Sequence, residues 1–191
     1  QRRENLIMRV ISGRLKGRRL STLSGSVVRP TADRVKEAMF SILAHKPAAA
    51  NVLDLFAGSG ALGIEAISRG ARSAVFIDRS PKVIQVLRQN LAVCNIGAAA
   101  TVVQWDIQKN LNCLKTFPHP FDLVFLDPPY GQALIEKTIG HLINCDCLSD
   151  SAAIVAEHEP GVEFGLSDTP LTLTDTRRYG SNQLSFFQHH R

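Results

Sequence analysis

The segment that most constrains this chain is Val52-Leu53-Asp54-Leu55-Phe56-Ala57-Gly58-Ser59-Gly60-Ala61-Leu62-Gly63-Ile64-Glu65-Ala66. An apolar run leads directly into a G-x-G-x-x-G spacing (Gly58, Gly60, Gly63) and then into a helical pattern. Strand, glycine turn and helix in that order open a β-α-β unit. Glycines in such a turn adopt backbone angles closed to other residues and let a ligand approach the main chain. The free N–H groups at the helix start favour an anionic group. Asp78 closes the next apolar run, at the spacing of a carboxylate that accepts both hydroxyls of a ribose. The glycines alone leave two ligands open. A dinucleotide would present its pyrophosphate to the helix start, and S-adenosylmethionine only its amino-acid carboxylate.

Downstream the chain alternates between the two periods. Strands are predicted over 51–56, 73–77, 101–105, 121–126 and 152–157, with helices over roughly 60–69, 80–95 and 134–143. Residues 171–178 and 183–188 read as a closing hairpin around Tyr179-Gly180-Ser181-Asn182. Strands separated by helices predict an α/β chain with a mostly parallel sheet of seven strands covered on both faces. Such sheets bind ligands at the carboxyl ends of their strands, near a topological switch point. Upstream, 8–12 and 17–21 read as a β-hairpin around Gly13 to Gly17, and a helix is expected after Pro30 with Thr31 as its cap. Residues 1–30 are read as a basic extension and 31–191 as the main domain.

Charge is segregated along the chain. The net charge is +5, but the first 36 residues hold ten basic and two acidic side chains, whereas residues 37–191 sum to −3. That imbalance is the footprint of a polyanion-binding face. Arg14, Lys16, Arg18 and Arg19 crowd the hairpin, and Arg29 and Arg34 flank the helix start. No apolar run approaches the ~20 residues that span a bilayer, so a cytoplasmic protein is expected. Cys94, Cys113, Cys145 and Cys147 do not form a metal pattern; no metal is expected, and free thiols are. His189 and His190 are expected to be solvated.

The second chemical motif is Asp127-Pro128-Pro129-Tyr130, directly after the strand 121–126. The prolines stiffen the turn and donate no N–H, so the turn presents carbonyls. An exocyclic amine on a base is a poor nucleophile because its lone pair is delocalised into the ring. Acceptors such as the Asp127 carboxylate and the Pro128 carbonyl can localise that pair and stabilise positive charge on nitrogen during transfer. Tyr130 would stack on the planar group, and a base in structured nucleic acid would first be unstacked. This motif favours S-adenosylmethionine, with S-adenosylhomocysteine as product, over the dinucleotide.

Residues 52–66 together with Asp127-Pro128-Pro129-Tyr130 resemble a Rossmann-like class I S-adenosylmethionine-dependent methyltransferase acting on amino nitrogens. Arg9-Val10-Ile11-Ser12-Gly13-Arg14-Leu15-Lys16-Gly17-Arg18, the Arg29-Pro30-Thr31 segment with Asp33 to Glu37, and the closing Arg178-Tyr179-Gly180 turn resemble the RsmD family. That family consists of guanine-N2 methyltransferases of 16S ribosomal RNA, and the likeness runs from Met8 onward. The resemblance implies that Ala57, Gly58, Ser59 and Gly60 hold the cofactor's methionine portion and that Asp78 takes its ribose. It implies that Asp106 meets the adenine amine, that Ile107 flanks the ring and that Asp54 lies near the donor's amino end. Asp54 as a brace of the glycine loop remains open beside this. The catalytic roles fall on Asp127, Pro128, Pro129 and Tyr130, and RNA binding on the basic residues named above. The implied partner is 16S ribosomal RNA in a partly assembled small subunit, with the protein a monomer. Adenine in DNA, a glutamine amide, a nicotinamide-dependent oxidoreductase and a silent RNA-binding module stand as alternatives.

Overall fold

A computed structural model describes residues 8–23, 30–129, 132–165 and 169–190. Two short strands, β1 (Met8–Arg9) and β2 (Arg19–Leu20), pair antiparallel at the start. They precede α1 (Pro30–Leu43), β3 (Asn51–Leu55), α2 (Ala61–Ser68), β4 (Ser73–Asp78), α3 (Pro81–Val93) and β5 (Ala100–Gln104). A short 3₁₀ turn (Asn112–Thr116) leads to β6 (Phe121–Leu126), α4 (Gln132–Asn144), β7 (Leu148–His158), β8 (Leu171–Tyr179) and β9 (Asn182–His189).

The seven strands β3 to β9 form one sheet in the order β5-β4-β3-β6-β7-β9-β8. All pairs from β5 to β7 are parallel, and β9 joins β7 and β8 antiparallel. The predicted parallel sheet with a closing hairpin is therefore present. Side chains alternate across it with the two-residue period of a strand. Val52, Phe76, Phe125 and Val155 pack with Val35, Met39, Phe40, Ile64 and Leu87 from α1, α2 and α3. Leu53, Ile77, Val124 and Ile154 pack on the opposite face with Ile107, Leu114, Ile135 and Leu142. Order reverses between β3 and β6, so the loops after these two strands flank the switch point.

Local chemistry sets the element ends. Ser80 accepts a hydrogen bond from the Val83 N–H (3.5 Å) and Pro81 occupies the first turn of α3. α1 starts at Pro30, one residue before the expected Thr31 cap, because proline suits the first helical position. His189 is buried rather than solvated: β9 runs through it, and its Nδ1 lies 2.9 Å from the Ser149 carbonyl. Cys145 and Cys147 bring their sulfurs together across one residue, with Cα atoms 5.3 Å apart, so only Cys94 and Cys113 are the free thiols expected.

The basic hairpin is shorter than predicted, because residues 11–15 turn their backbone donors toward α2 instead of toward each other. Glu65, fully buried, accepts the N–H groups of Ile11 (2.7 Å) and Ser12 (2.9 Å). The Ser68 carbonyl accepts from Arg14 N–H (2.9 Å), and the Ser68 hydroxyl accepts from Leu15 N–H (2.9 Å). Gly13 makes this docking possible. It has φ +79°, and a Cβ there would meet the Ser68 carbonyl oxygen at 1.9 Å. Glu65 is neutralised by Arg69 (2.9 Å) and Lys36 (3.6 Å), and Lys36 also donates to the Arg9 carbonyl (2.6 Å). Val10, Leu15 and Leu20 complete the joint by entering the core of the main sheet.

A second buried carboxylate stabilises the glycine turn. Asp54, 2% exposed, accepts the Gly63 N–H at 2.9 Å. Burial pushes its carboxyl from 3.8 up to about 8, against the Gly63 bond and with the charges of Asp127 and Asp78 adding to the rise. The folded chain thus holds this proton where the unfolded chain has released it, so stability falls as pH rises from about 4 to about 8. Asp54→Asn keeps an oxygen for Gly63 and removes the ionisation. Thermal unfolding of the variant is expected to fall less between pH 5 and pH 8.5 than that of the parent. Parallel pH profiles would show that Asp54 does not carry this proton.

Candidate active site

The carboxyl ends of β3, β4, β6 and β7 open on one cavity of about 900 Å³. Asp78, Asp106, Ile107, Asp127, Pro128 and Pro129 line it, which brings two predicted sets of residues from separate loops into one space. Tyr130 and Arg29 lie outside the described residues.

The Asp78 carboxylate is oriented by the backbone around it. Its Oδ2 accepts the Gly58 N–H (3.2 Å) and its Oδ1 the Ser80 N–H (2.9 Å). Each oxygen keeps a further acceptor position for a vicinal diol. Asp106 accepts the Gln108 N–H (3.1 Å), so it caps the turn after β5 while lining the cavity. Ile107 is buried beside it, and Trp105 is held by its indole N–H to the Asn110 carbonyl at 3.0 Å. A diol acceptor, an apolar slot and a carboxylate beyond it fit the ribose, ring and amine of an adenosine. The residues therefore suit the cofactor that the family resemblance implies.

Asp54, Ala57, Gly58, Ser59 and Gly60 are not among the lining residues; Phe56, Ala61 and Leu62 form the wall there. The turn itself is nonetheless tightly specified. Gly60 opens α2 with φ +79°, and a Cβ on it would meet the Leu87 side chain at 2.3 Å. Ser59 is held at both ends: its hydroxyl donates to the Met8 sulfur (3.1 Å) and its carbonyl accepts from Asn90 Nδ2 (2.8 Å). The same Asn90 side chain accepts from Ser21 N–H (2.8 Å) and donates to the Ser21 carbonyl (2.9 Å).

The base of the hairpin thus belongs to the cavity, which Met8 and Thr22 line together with Val35, Lys36 and Met39 of α1. Its tip docks at the far end of α2, an eight-residue helix and so about 12 Å long. Arg14, Lys16, Arg18 and Arg19 are exposed on the hairpin, and none of them forms an ion pair with a described residue. Arg34 is exposed on α1, beside the Arg9–Asp33 pair (3.1 Å).

Asp127 is exposed to the open cavity, with protein crowding the other sides of its carboxyl. Burial first, and then the charge of Glu157, push that carboxyl up to about 7. Glu157 was missed in the sequence. It lies one residue before the end of β7, near the strand's carboxyl end as Asp78 is at that of β4, so the rule that ligands sit at strand carboxyl ends could have found it. Asn182 donates to Glu157 Oε1, and both line the cavity.

Comparison with known proteins gives this geometry its setting. The family described as conserved hypothetical protein 95 matches residues 8–188. Ribosomal RNA small subunit methyltransferase D of Escherichia coli (strain K12) is 38% identical over 182 residues, covering 94% of this chain and 87% of that protein. The solved structure of yhhF from Escherichia coli, which carries a methyltransferase name, superposes with a TM-score of 0.84 at 34% identity, over 96% of this chain and 98% of its own. SMU.776, complexed with SAH, shares the fold alone, at TM-score 0.61 and 14% identity over 78% of this chain and 48% of that one. The hairpin that resembled the RsmD family and the loops that meet at the cavity fall within one matched stretch, and the chain belongs to that family, the one described as conserved hypothetical protein 95.

Proposed function

We propose that this protein transfers a methyl group from S-adenosylmethionine to the exocyclic N2 amine of one guanine in 16S ribosomal RNA. The observation that carries this reading is the shared cavity: the side lined by Asp78, Asp106 and Ile107 meets the Asp127-Pro128 turn. The similarity to a ribosomal RNA small subunit methyltransferase supports the substrate class. When bound, the cofactor supplies an activated methyl group on sulfur. The chain's own residues do the remainder. Asp78 fixes the ribose, Asp106 and Ile107 the adenine, and Ala57 to Gly60 with Asp54 behind them shape the turn beside the donor. Asp127 and the Pro128 carbonyl accept the amine hydrogens, draw the lone pair out of conjugation and hold nitrogen ready to attack; the proton that the methylated amine sheds would pass by way of the Asp127 carboxylate to water. Pro129 keeps that turn rigid, and stacking on Tyr130 is part of the proposed arrangement.

The RNA enters over the hairpin. Arg14, Lys16, Arg18 and Arg19 form a cationic line leading from the α2 tip toward the cavity, suited to backbone phosphates of the strand whose base is turned in. Arg29 and Arg34 extend this surface in the proposal. The substrate is proposed to be a partly assembled small subunit, bound by a monomer in the cytoplasm.

Methyl transfer from labelled S-adenosylmethionine to small-subunit RNA from cells lacking the protein tests this reading. Asp127→Ala is expected to lower the rate by roughly 10²–10³-fold while cofactor affinity changes little. Equal activity in the variant would remove Asp127 from the chemistry, and binding of NAD in place of S-adenosylmethionine would overturn the cofactor. Replacing Arg14, Lys16, Arg18 and Arg19 together by glutamine should reduce the slope of log affinity against log salt by roughly 3. An unchanged slope would mean that the RNA binds elsewhere.

A further inference from the structure

Asp127 is not the only carboxylate at the reacting end of the cavity. β6 and β7 run parallel with Leu126 opposite Ala156, so one further step places Asp127 beside Glu157 at the same sheet edge. Phe125 and Val155 both face the α1, α2 and α3 side. Alternation by two then turns Asp127 and Glu157 to that same side. Neighbouring strands lie about 4.8 Å apart, and the two carboxyls are within electrostatic reach of each other.

Nothing in the described structure neutralises this pair. Neither residue forms an ion pair with a described cation. Lys36, which lines the cavity, is committed to Glu65 and to the Arg9 carbonyl. His158, next in sequence, is turned away, with its ring nitrogens 2.8 Å from the Glu159 carbonyl and 2.8 Å from the Ser185 hydroxyl. Glu157 is nevertheless held in place: Asn182, from the start of β9, donates to its Oε1, and among the described residues its Oε2 has no hydrogen-bond partner. Burial pushes the Glu157 carboxyl up, the mark of an acceptor kept short of water. Two adjacent carboxylates facing one cavity, with Glu157 Oε2 and the exposed Asp127 carboxyl unpaired among the described residues, suit a ligand that brings a donor to each.

Guanine carries that complement. Its N2 amine and ring N1–H are neighbouring donors on one edge, whereas adenine presents its amine beside an unprotonated N1 that a carboxylate would repel. We propose that Glu157 is the specificity-determining residue of the methyl-transfer site: it accepts the N1–H of the target guanine while Asp127 accepts the adjacent amine. This rests on the guanine-N2 reading above and adds to it the group that selects guanine. Asn182 is a positioning residue, because it acts only by fixing Glu157.

The test is a cycle that changes the protein and the base together. Small subunits are reconstituted with 16S RNA carrying, at the position the wild-type protein methylates, either guanine or 2-aminopurine, which keeps the amine and lacks the N1–H. Glu157→Ala is expected to lower kcat/KM on guanine by between about tenfold and a hundredfold, the range for losing one hydrogen bond to a charged group. On 2-aminopurine, whose unprotonated N1 the carboxylate repels, it should leave kcat/KM unchanged or raise it, and S-adenosylmethionine affinity should stay within twofold. Glu157→Gln keeps an acceptor oxygen and is expected to retain most of the guanine preference, which covers the case in which the alanine variant fails to fold. Equal losses on both bases, or no loss on guanine, would overturn the assignment while leaving guanine-N2 methylation intact. Failure of the wild-type protein to methylate any guanine would overturn the underlying reading, and this inference with it.

Discussion

The arrangement depends on one buried charge. Glu65 comes from the helix that follows the glycine turn, is fully buried, and uses its oxygens on Ile11 N–H, Ser12 N–H, Arg69 and Lys36. A carboxylate without water is costly, and losing one partner of a buried pair typically costs about 3–5 kcal/mol. It is tolerated here because every partner belongs to a part that has to be held. The hairpin contributes two amides, α1 a lysine and α2 an arginine, and Arg69 also lies over the Phe40 ring at 4.7 Å. The basic segment is thereby docked on the main domain, with Arg14, Lys16, Arg18 and Arg19 exposed on it.

A second joint reinforces the first. Asn90, 1% exposed, bonds the backbone of Ser21 at the end of the hairpin and the carbonyl of Ser59 in the glycine turn. Anything that shifts the hairpin therefore pulls on the glycine turn behind the cavity wall. The cavity itself gathers like charges. Asp78, Asp127 and Glu157 line it, and the buried Asp54 lies behind the glycine turn on the same side of the sheet. Two of them, Asp54 and Asp127, have carboxyls pushed up to about 8 and about 7. Such a constellation is poor for stability and suits a ligand set that brings hydroxyls, amines and positive charge.

Much of this was legible in the sequence. The strand–glycine–helix segment and the strand before Asp127 are strongly patterned, so their positions follow from period and spacing, whereas the strand order that sets them side by side appears only in the sheet. Asp78 and Asp127 were found because each ends an apolar run. Glu157 ends one too, but it sits in Ala-Glu-His-Glu, where a single carboxylate does not stand out. Glu65 was hidden more deeply. On a helix that enters the core it reads as a solvated position, and only the three-dimensional approach of residues 11 and 12 reveals its role. The shortened hairpin has the same origin: local sequence predicted mutual strand pairing, whereas the tertiary contact with Ser68 and Glu65 won the backbone donors.

The claim that Glu65 joins the basic segment to the main domain is tested most directly by amide hydrogen exchange at Ile11 and Ser12. Both amides are expected to be protected as strongly as those of β3 and α2, and to lose that protection in Glu65→Ala while β3 keeps its own. Exchange of Ile11 and Ser12 at the rate of an open turn in the parent protein would contradict the account.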